Sequence, residues 1–275
     1  MLVDSHTHLE QYPDYELDAI LARSRDARVQ AIFLAGTTVL DSHRTAYLAS
    51  QYRNLFAGVG VHPTEVFSLW TPHTLGELEA ILNESNRVLA ISEIGLDFTV
   101  PPDSFPSQYS AFREQIELAR KVDLPIIFHS REDSSSEGKH DETLRLLREE
   151  KAWEVGGVMH YFQASRHVAD QCLDLGFYIS LGKPLLRSNS LQETAREIPL
   201  NSIVLETDSY PQPFKSRREL WTEPKDVLEV ATKLADIRRI TLEEVAYTTT
   251  QNMLRLYAKA SRLHLKEMLS SVLED

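Results

Sequence analysis

Short apolar runs alternate along this chain with longer stretches of helical spacing. Eight runs stand out: Leu2–His8, Val29–Gly36, Leu55–His62, Val88–Gly95, Leu124–His129, Gly157–Phe162, Phe177–Gly182 and Ile203–Asp208. A half-exposed strand would alternate apolar with polar residues. Most of these runs do not, so they suit strands buried on both faces, as in a parallel sheet. Helical spacing lies between them. Leu17, Ile20 and Leu21 predict one helix, and Leu75, Leu78, Ile81 and Leu82 another. Tyr109, Phe112, Ile116 and Ala119 predict a further one, and Leu144, Leu146 and Leu147 the next. Val227–Leu234 and Leu242–Tyr257 predict two late helices, the second opening on the capping-box pattern Thr241-Leu242-Glu243-Glu244.

Strand then helix, repeated at spacings of roughly 20 to 35 residues, predicts an α/β fold of the (β/α)8 TIM-barrel type. The main competitor is a doubly wound open sheet. No Gly-x-Gly-x-x-Gly follows the first run, so a dinucleotide fold has little support. The chain has 275 residues and no linker-like stretch, which predicts one domain over 1–275. The nearest approach to low complexity is the polar insert Arg131–His140, with Ser134-Ser135-Ser136 inside it. It follows the fifth strand, and is expected to be a long, mobile loop on the functional face.

Composition narrows the class only slightly. Hydrophobic content of 42% and charged content of 25% are ordinary for a soluble globular protein. The chain does not open on a basic region followed by an apolar stretch, and no apolar run approaches the roughly 18 residues of a membrane span. Neither a secretory signal nor a membrane association is therefore expected. The single cysteine, Cys172, cannot form an internal disulfide, which fits a reducing, cytoplasmic location. A net charge of −12 argues against wrapping DNA with a general basic surface, but not against a compact site that grips a strand end. No protein partner is indicated, and a monomer is expected.

The candidate chemistry lies at the ends of the runs. Barrel enzymes draw their reactive groups from the C-terminal ends of several strands. Here those ends carry His6 and His8, then His62, Glu93, His129 with Arg131, His160, and Glu206 with Asp208. The second and seventh runs end in Gly36 and Gly182, which leave room. Residues two apart on a strand share a face, so Asp4, His6 and His8 point one way. Imidazole plus carboxylate, without cysteine, suits Zn, Mn, Fe, Ni or Mg better than a thiolate-rich structural site. Each residue taken alone has a plainer reading. A lone strand-end histidine is more often a hydrogen-bonded structural residue. Glu93 could pair with Arg131, because an unpaired buried carboxylate is costly. Asp208 could cap a helix. Their joint occurrence at one end of a barrel favours metal binding.

Several segments carry a family resemblance: Val3-Asp4-Ser5-His6-Thr7-His8-Leu9, Gly58-Val59-Gly60-Val61-His62-Pro63, Glu93-Ile94-Gly95-Leu96-Asp97, Leu124-Pro125-Ile126-Ile127-Phe128-His129-Ser130-Arg131, Met159-His160-Tyr161-Phe162, Leu205-Glu206-Thr207-Asp208 and Glu223-Pro224. Together they resemble the TatD family of metal-dependent hydrolases, TatD-type deoxyribonucleases within the amidohydrolase-like barrels. The resemblance spans nearly the whole chain.

It implies two divalent metal ions. His6, His8, Glu93 and Asp208 would hold one; Glu93, His129 and His160 would hold the second, with Glu93 bridging. It implies DNA as substrate, trimmed from the 3′ end of single-stranded or frayed strands by a metal-activated water. Glu93 and Asp208 are the expected catalytic residues, Asp208 as proton acceptor. His62 and Arg131 are the expected substrate contacts, although Arg131 could instead pair with a loop carboxylate. Phe214-Lys215-Ser216-Arg217-Arg218-Glu219-Leu220-Trp221 suits backbone contacts and base stacking, or equally a solvated surface loop. Family members often carry a histidine and an asparagine in this loop; neither occurs between Asp208 and Glu223. Glu10 stands where an aspartate or asparagine is usual. These departures fall where substrate would bind. They keep two alternatives open: a hydrolase of a small-molecule ester, amide or phosphoester or of aminoacyl-tRNA, and a non-catalytic metal- or partner-binding barrel.

Overall fold

Eight strands pair in parallel, each with the next, in the order β1 to β8. They are β1 Leu2–Thr7, β2 Val29–Ala35, β3 Leu55–Val59, β4 Val88–Asp97, β5 Ile126–Arg131, β6 Gly157–Met159, β7 Tyr178–Leu181 and β8 Ile203–Leu205. The computed structural model describes residues 1–132 and 138–274. Its helices are α1 Asp14–Asp26, α2 Val39–Gln51, α3 Pro63–Leu69, α4 Thr74–Glu84, α5 Phe105–Val122, α6 His140–Glu149, α7 Arg166–Asp174, α8 Asn189–Glu197, α9 Val227–Arg238, α10 Leu242–Leu256 and α11 Leu263–Leu273. This is the (β/α)8 barrel that the alternation of runs predicts. Every residue of β1, β3, β4, β6 and β8 is buried, as expected of strands covered on both faces.

The first and last strands meet through their C-terminal ends. The Asp208 amide donates to His6 O (3.0 Å) and the His8 amide to Ser209 O (2.8 Å). Deeper in the barrel, the Asp4 carboxylate accepts from the Thr207 amide (2.9 Å) and hydroxyl (2.6 Å). Burial pushes the Asp4 carboxyl well up, against the pull of these two bonds. A residue two positions before His6 on β1 thus fastens the closure of the barrel that brings Asp208 to His6 and His8.

The predicted helices form where the apolar spacing places them. Leu17, Ile20 and Leu21 are the buried face of α1, and Phe112, Ile116 and Ala119 that of α5. Thr241 caps α10 by accepting the Glu244 amide at 3.1 Å. Helices α2, α3, α7, α8 and α11 are not among those the spacing predicts. Helix α7 buries Val168, Ala169 and Cys172, and α8 buries Leu191, Thr194 and Ala195. Each spans nine residues, so its buried face repeats over barely two turns. Among the described residues no helix is long and apolar enough to cross a membrane.

The two strand-end glycines do leave room. A Cβ on Gly36 would sit 2.5 Å from Ser42 Oγ of α2, and one on Gly182 would lie 3.3 Å from the Tyr161 ring.

Asn252 of α10 anchors the start of β8. Its Nδ2 donates to Leu200 O (2.9 Å) and Ile203 O (2.7 Å), with the side chain fully buried. Asn252→Ala strands both carbonyls. Urea unfolding should show a loss of about 2 kcal/mol, the cost of buried groups left unpaired.

Candidate metal centre

The barrel brings every sequence-expected ligand to one place. Glu93, inside β4, lies at its middle. Its Oε1 is 2.9 Å from His160 Nε2, 3.0 Å from His129 Nδ1 and 3.3 Å from His62 Nε2. Its Oε2 is 3.3 Å from His6 Nε2 and 3.7 Å from His8 Nε2. Asp208 Oδ1 completes the set, 3.3 Å from His8 Nε2 and 3.9 Å from His6 Nε2. His6 sits inside β1 and His129 inside β5, whereas His62, His160 and Asp208 lie just past their strands. Once outside the ladder a residue escapes strict alternation, and its side chain can turn inward.

Three subsets satisfy the geometry of a shared cation: His6, His8 and Glu93; His6, His160 and Asp208; His62, Glu93 and His129. The His6 ring offers the clearest test of fit. It is fully buried, and neither of its nitrogens has a hydrogen-bond partner among the described residues. An orphaned, buried imidazole is costly unless its lone pair binds something. Nitrogen and oxygen donors without thiolate suit a borderline or hard divalent ion. Cys172 takes no part; it is buried, its Sγ 3.5 Å from Met159 Sδ.

Charge tells the same story. Burial would raise the carboxyls, but His160 and His62 hold Glu93 well below the usual carboxylate range. Against the same burial, His8 and His160 bring Asp208 to about 2. Burial opposes charged imidazoles too, yet Asp208 and Glu10 raise His8 well above its usual value. Glu93 and Glu206 do the same for His160, and Asp97 and Glu93 raise His129. At His6 and His62 burial prevails and both are lowered. Ionised carboxylates that draw protons onto neighbouring imidazoles mark a place where a cation can displace those protons.

Sequence reasoning placed Glu206 at a strand end without assigning it a role, and did not assign the other carboxylates behind the imidazoles. Glu10 Oε1 is 3.2 Å from His8 Nδ1, Asp97 Oδ2 is 3.0 Å from His129 Nε2, and Glu206 Oε1 is 3.3 Å from His160 Nδ1. In each pair the other ring nitrogen faces Glu93. A carboxylate behind a ligating histidine fixes its tautomer and orientation. The available signals were the His8-x-Glu10 spacing and the four-residue separation of Glu93 and Asp97 on one strand. Asp97→Asn and Glu10→Gln should each weaken divalent-metal affinity by about 10- to 100-fold in a metal titration, with little change in melting temperature of the chelated protein.

The remaining candidates divide. His62, expected at the substrate, stands within reach of Glu93, and its ring packs edge-on against His129 with centroids 4.5 Å apart. Its Nδ1 accepts from the Thr64 amide, so it also caps α3. Arg131 is exposed and lines the cavity above the cluster, a space of about 1410 Å³. Within the Arg131–His140 insert, residues 133–137, including Ser134-Ser135-Ser136, lie outside the described residues. Its flanks are tied together: the His140 amide donates to Glu132 Oε2 (3.0 Å), and Ser130 Oγ lies 2.8 Å from His140 Nδ1.

The Phe214–Trp221 loop keeps much of its chemistry for itself. Arg218 bonds Glu16 (2.6 Å) and Glu223 (2.9 Å) and lies over the rings of Trp221 and Tyr12. Arg23 forks onto the same Glu223 at 2.8 and 2.7 Å. This network fastens the loop to α1. Phe214 alone among its aromatics is widely exposed.

Comparison with known proteins follows the same lines. A family model described as "TatD related DNase" matches residues 3–258. The chain is 34% identical over 264 residues to a Bacillus subtilis protein named "uncharacterized metal-dependent hydrolase YabD", covering 94% of this chain and 99% of that one. It is 31% identical over 275 residues to the human protein named "deoxyribonuclease TATDN3", covering 95% and 96%. Among solved structures, the TatD homologue YJJV of Escherichia coli superposes with a TM-score of 0.82 at 29% identity, covering 93% and 97%. The eight-stranded barrel, the ring of imidazoles and carboxylates at its mouth, and relatives that match nearly end to end agree: the chain belongs to the TatD family of metal-dependent hydrolases.

Proposed function

We propose that this chain, acting as one domain, hydrolyses phosphodiester bonds of single-stranded or frayed DNA from the 3′ end. The observation that carries the hydrolytic reading is Glu93, ringed by His6, His8, His62, His129 and His160 at an open cavity. A purely structural metal site would be closed. The DNA reading draws on the human relative's name and on the family description. The 3′ polarity rests on the family resemblance.

His6, His8, Glu93 and Asp208 would hold one divalent ion, and Glu93, His129 and His160 a second. Glu93 can serve both because a carboxylate offers two oxygens. Bound ions supply Lewis acidity toward the phosphate and acidify water. The chain's residues do the rest. Asp208 is ionised and its side chain is 20% exposed, so it can reach both the cluster and the cavity. It accepts the proton of the attacking water. Glu10, Asp97 and Glu206 hold the imidazoles in place. Arg131 pairs with phosphate oxygens from the rim, and His62 faces the same mouth.

The test offers purified protein end-labelled DNA, RNA and small phosphoesters, each with Mg, Mn, Zn or chelator. Release of mononucleotides from the 3′ end of DNA, lost on chelation, is expected. Turnover of small esters alone would replace the nuclease reading with a small-molecule hydrolase. Metal retention without any turnover would leave a binding barrel.

A further inference from the structure

We propose that Tyr161, with Tyr210 beside it, is a stacking platform for the nucleobase next to the scissile phosphate. The proposal rests on the phosphodiester reading above and extends it from the phosphate to the base.

Backbone geometry singles Tyr161 out. Six non-glycine residues among those described have positive φ: Arg28, Asp123, Lys151, Tyr161, Asp208 and Arg239. Arg28, Asp123, Lys151 and Arg239 follow the ends of α1, α5, α6 and α9, where a left-handed residue routinely ends a helix. Only Tyr161 (φ 47°) and Asp208 (φ 50°) lie in strand-end loops that line the cavity. Aspartate tolerates that conformation; a bulky aromatic does so only at a cost. Strain of this kind persists where the surrounding structure over-determines it, and it clusters at functional sites.

The surroundings hold Tyr161 firmly. Its amide donates to Glu206 Oε1 at 2.6 Å, and the same oxygen stands 3.3 Å from His160 Nδ1. One carboxylate therefore sets two neighbours at once: His160 toward Glu93, Tyr161 toward the cavity. Gly182 clears the space for the ring, since a Cβ there would lie 3.3 Å from Tyr161 Cδ2. The Tyr161 and His160 rings have centroids 5.8 Å apart, so the aromatic face adjoins the cluster.

The phenol is not used internally. Its hydroxyl has no hydrogen-bond partner among the described residues. Burial and the charges of Asp208 and Glu206, with Tyr210 nearby, push it up to about 12, against the nearby charge of Arg187. It is neutral at working pH and close to the proposed proton acceptor. Tyr210 lines the same cavity and is 38% exposed. Aromatic faces beside a phosphodiester-cleaving centre, with the exposed Arg131 on the same cavity, suit a base attached to the phosphate being cut. Stacking of this kind tolerates any base and requires it to be unpaired, which matches a single-stranded or frayed end.

The experiment measures KM and kcat with the metal-loaded protein on two 3′-terminal oligodeoxyribonucleotides. One is ordinary; the other lacks the base of its terminal nucleotide. Tyr161→Asn removes the ring but keeps a residue type that adopts the left-handed backbone. Tyr161→Phe keeps the ring and removes the hydroxyl, and Tyr210→Ala tests the second ring. On the ordinary strand, Tyr161→Asn should raise KM about tenfold with kcat nearly unchanged, while Tyr161→Phe behaves as wild type. On the base-free end, wild type should already show the raised KM and Tyr161→Asn should add nothing. If Tyr161→Asn instead depresses kcat equally on both strands, the ring merely supports His160 and the platform is overturned. Equal damage from Phe and Asn overturns it in favour of a hydroxyl role. Should Tyr161→Asn fold poorly, Tyr210→Ala decides: no base-dependent rise in KM overturns the platform. Cleavage of both strands by wild type with equal KM overturns the platform alone. Failure to cleave either, with small phosphoesters turned over, overturns the nucleic-acid reading along with it.

Discussion

Glu93→Gln is expected to slow hydrolysis by roughly a thousandfold or more, because several kcal/mol of metal-derived stabilisation are lost and each 1.36 kcal/mol is a factor of ten. Five imidazole nitrogens, from His6, His8, His62, His129 and His160, converge on this one carboxylate. The amide keeps the shape but loses the charge, and its nitrogen half turns a donor toward groups that need an acceptor. Under the proposed two-ion arrangement, glutamine could not offer an acceptor from both ends. The measurement pairs initial rates with metal content after dialysis. The variant should retain its melting temperature in chelator and bind less metal than wild type. Full metal content at wild-type rate would remove Glu93 from the centre of the mechanism.

Asp208→Asn should separate proton transfer from metal holding. Rates are expected to fall by about 10²- to 10⁴-fold, the usual contribution of a positioned general base. Most of the metal should remain, since the amide oxygen can still face His8 and the rest of the set is untouched. The fold should survive as well: Asp208 adopts a left-handed backbone at φ 50°, which asparagine accepts readily. Its amide bond to His6 O involves no side-chain atom. The pH–rate profile is the sharper readout. Asp208 is held at about 2, so wild type should keep its base ionised across the working range, and Asp208→Asn should be slow throughout it. An unchanged rate and profile would rule out Asp208 as proton acceptor.

The two variants together address what neither resolves alone. A variant at Glu93 is expected to disturb binding and chemistry at once, whereas one at Asp208 should touch mainly the proton. If both lost metal and rate in parallel, Asp208 would be a ligand of the same kind as Glu93, and the base would have to be sought elsewhere along the cavity. Glu10, Asp97 and Glu206 would be poor substitutes, because each is engaged behind an imidazole.

Much of this architecture is legible along the chain. Strands buried on both faces read as unbroken apolar runs, and long amphipathic helices such as α5 show their 3.6-residue stripe. Those signals are local, set by residues a few positions apart. The His-x-His at the end of the first run is local too, and so are the polar residues at the ends of later runs. Hence the barrel, and the set from His6 to Asp208, could be anticipated. Helices α7 and α8 were not anticipated, because nine residues give their stripe barely two turns in which to repeat.

Partnership across the barrel is a different kind of information. Asp4 binding Thr207, Asp97 behind His129 and Glu206 behind both His160 and Tyr161 join residues brought together only by closure of the sheet. So do the withdrawal of Arg218 into a network with Glu16 and Glu223, and the placing of His62 against Glu93 rather than free at the rim. Residue types and their order determined which groups this protein possesses and which end of each strand bears them. Only the tertiary structure decided which group faces which, because hydrogen bonds and charge interactions fall off within a few ångströms and depend on distance in space, not on separation along the chain.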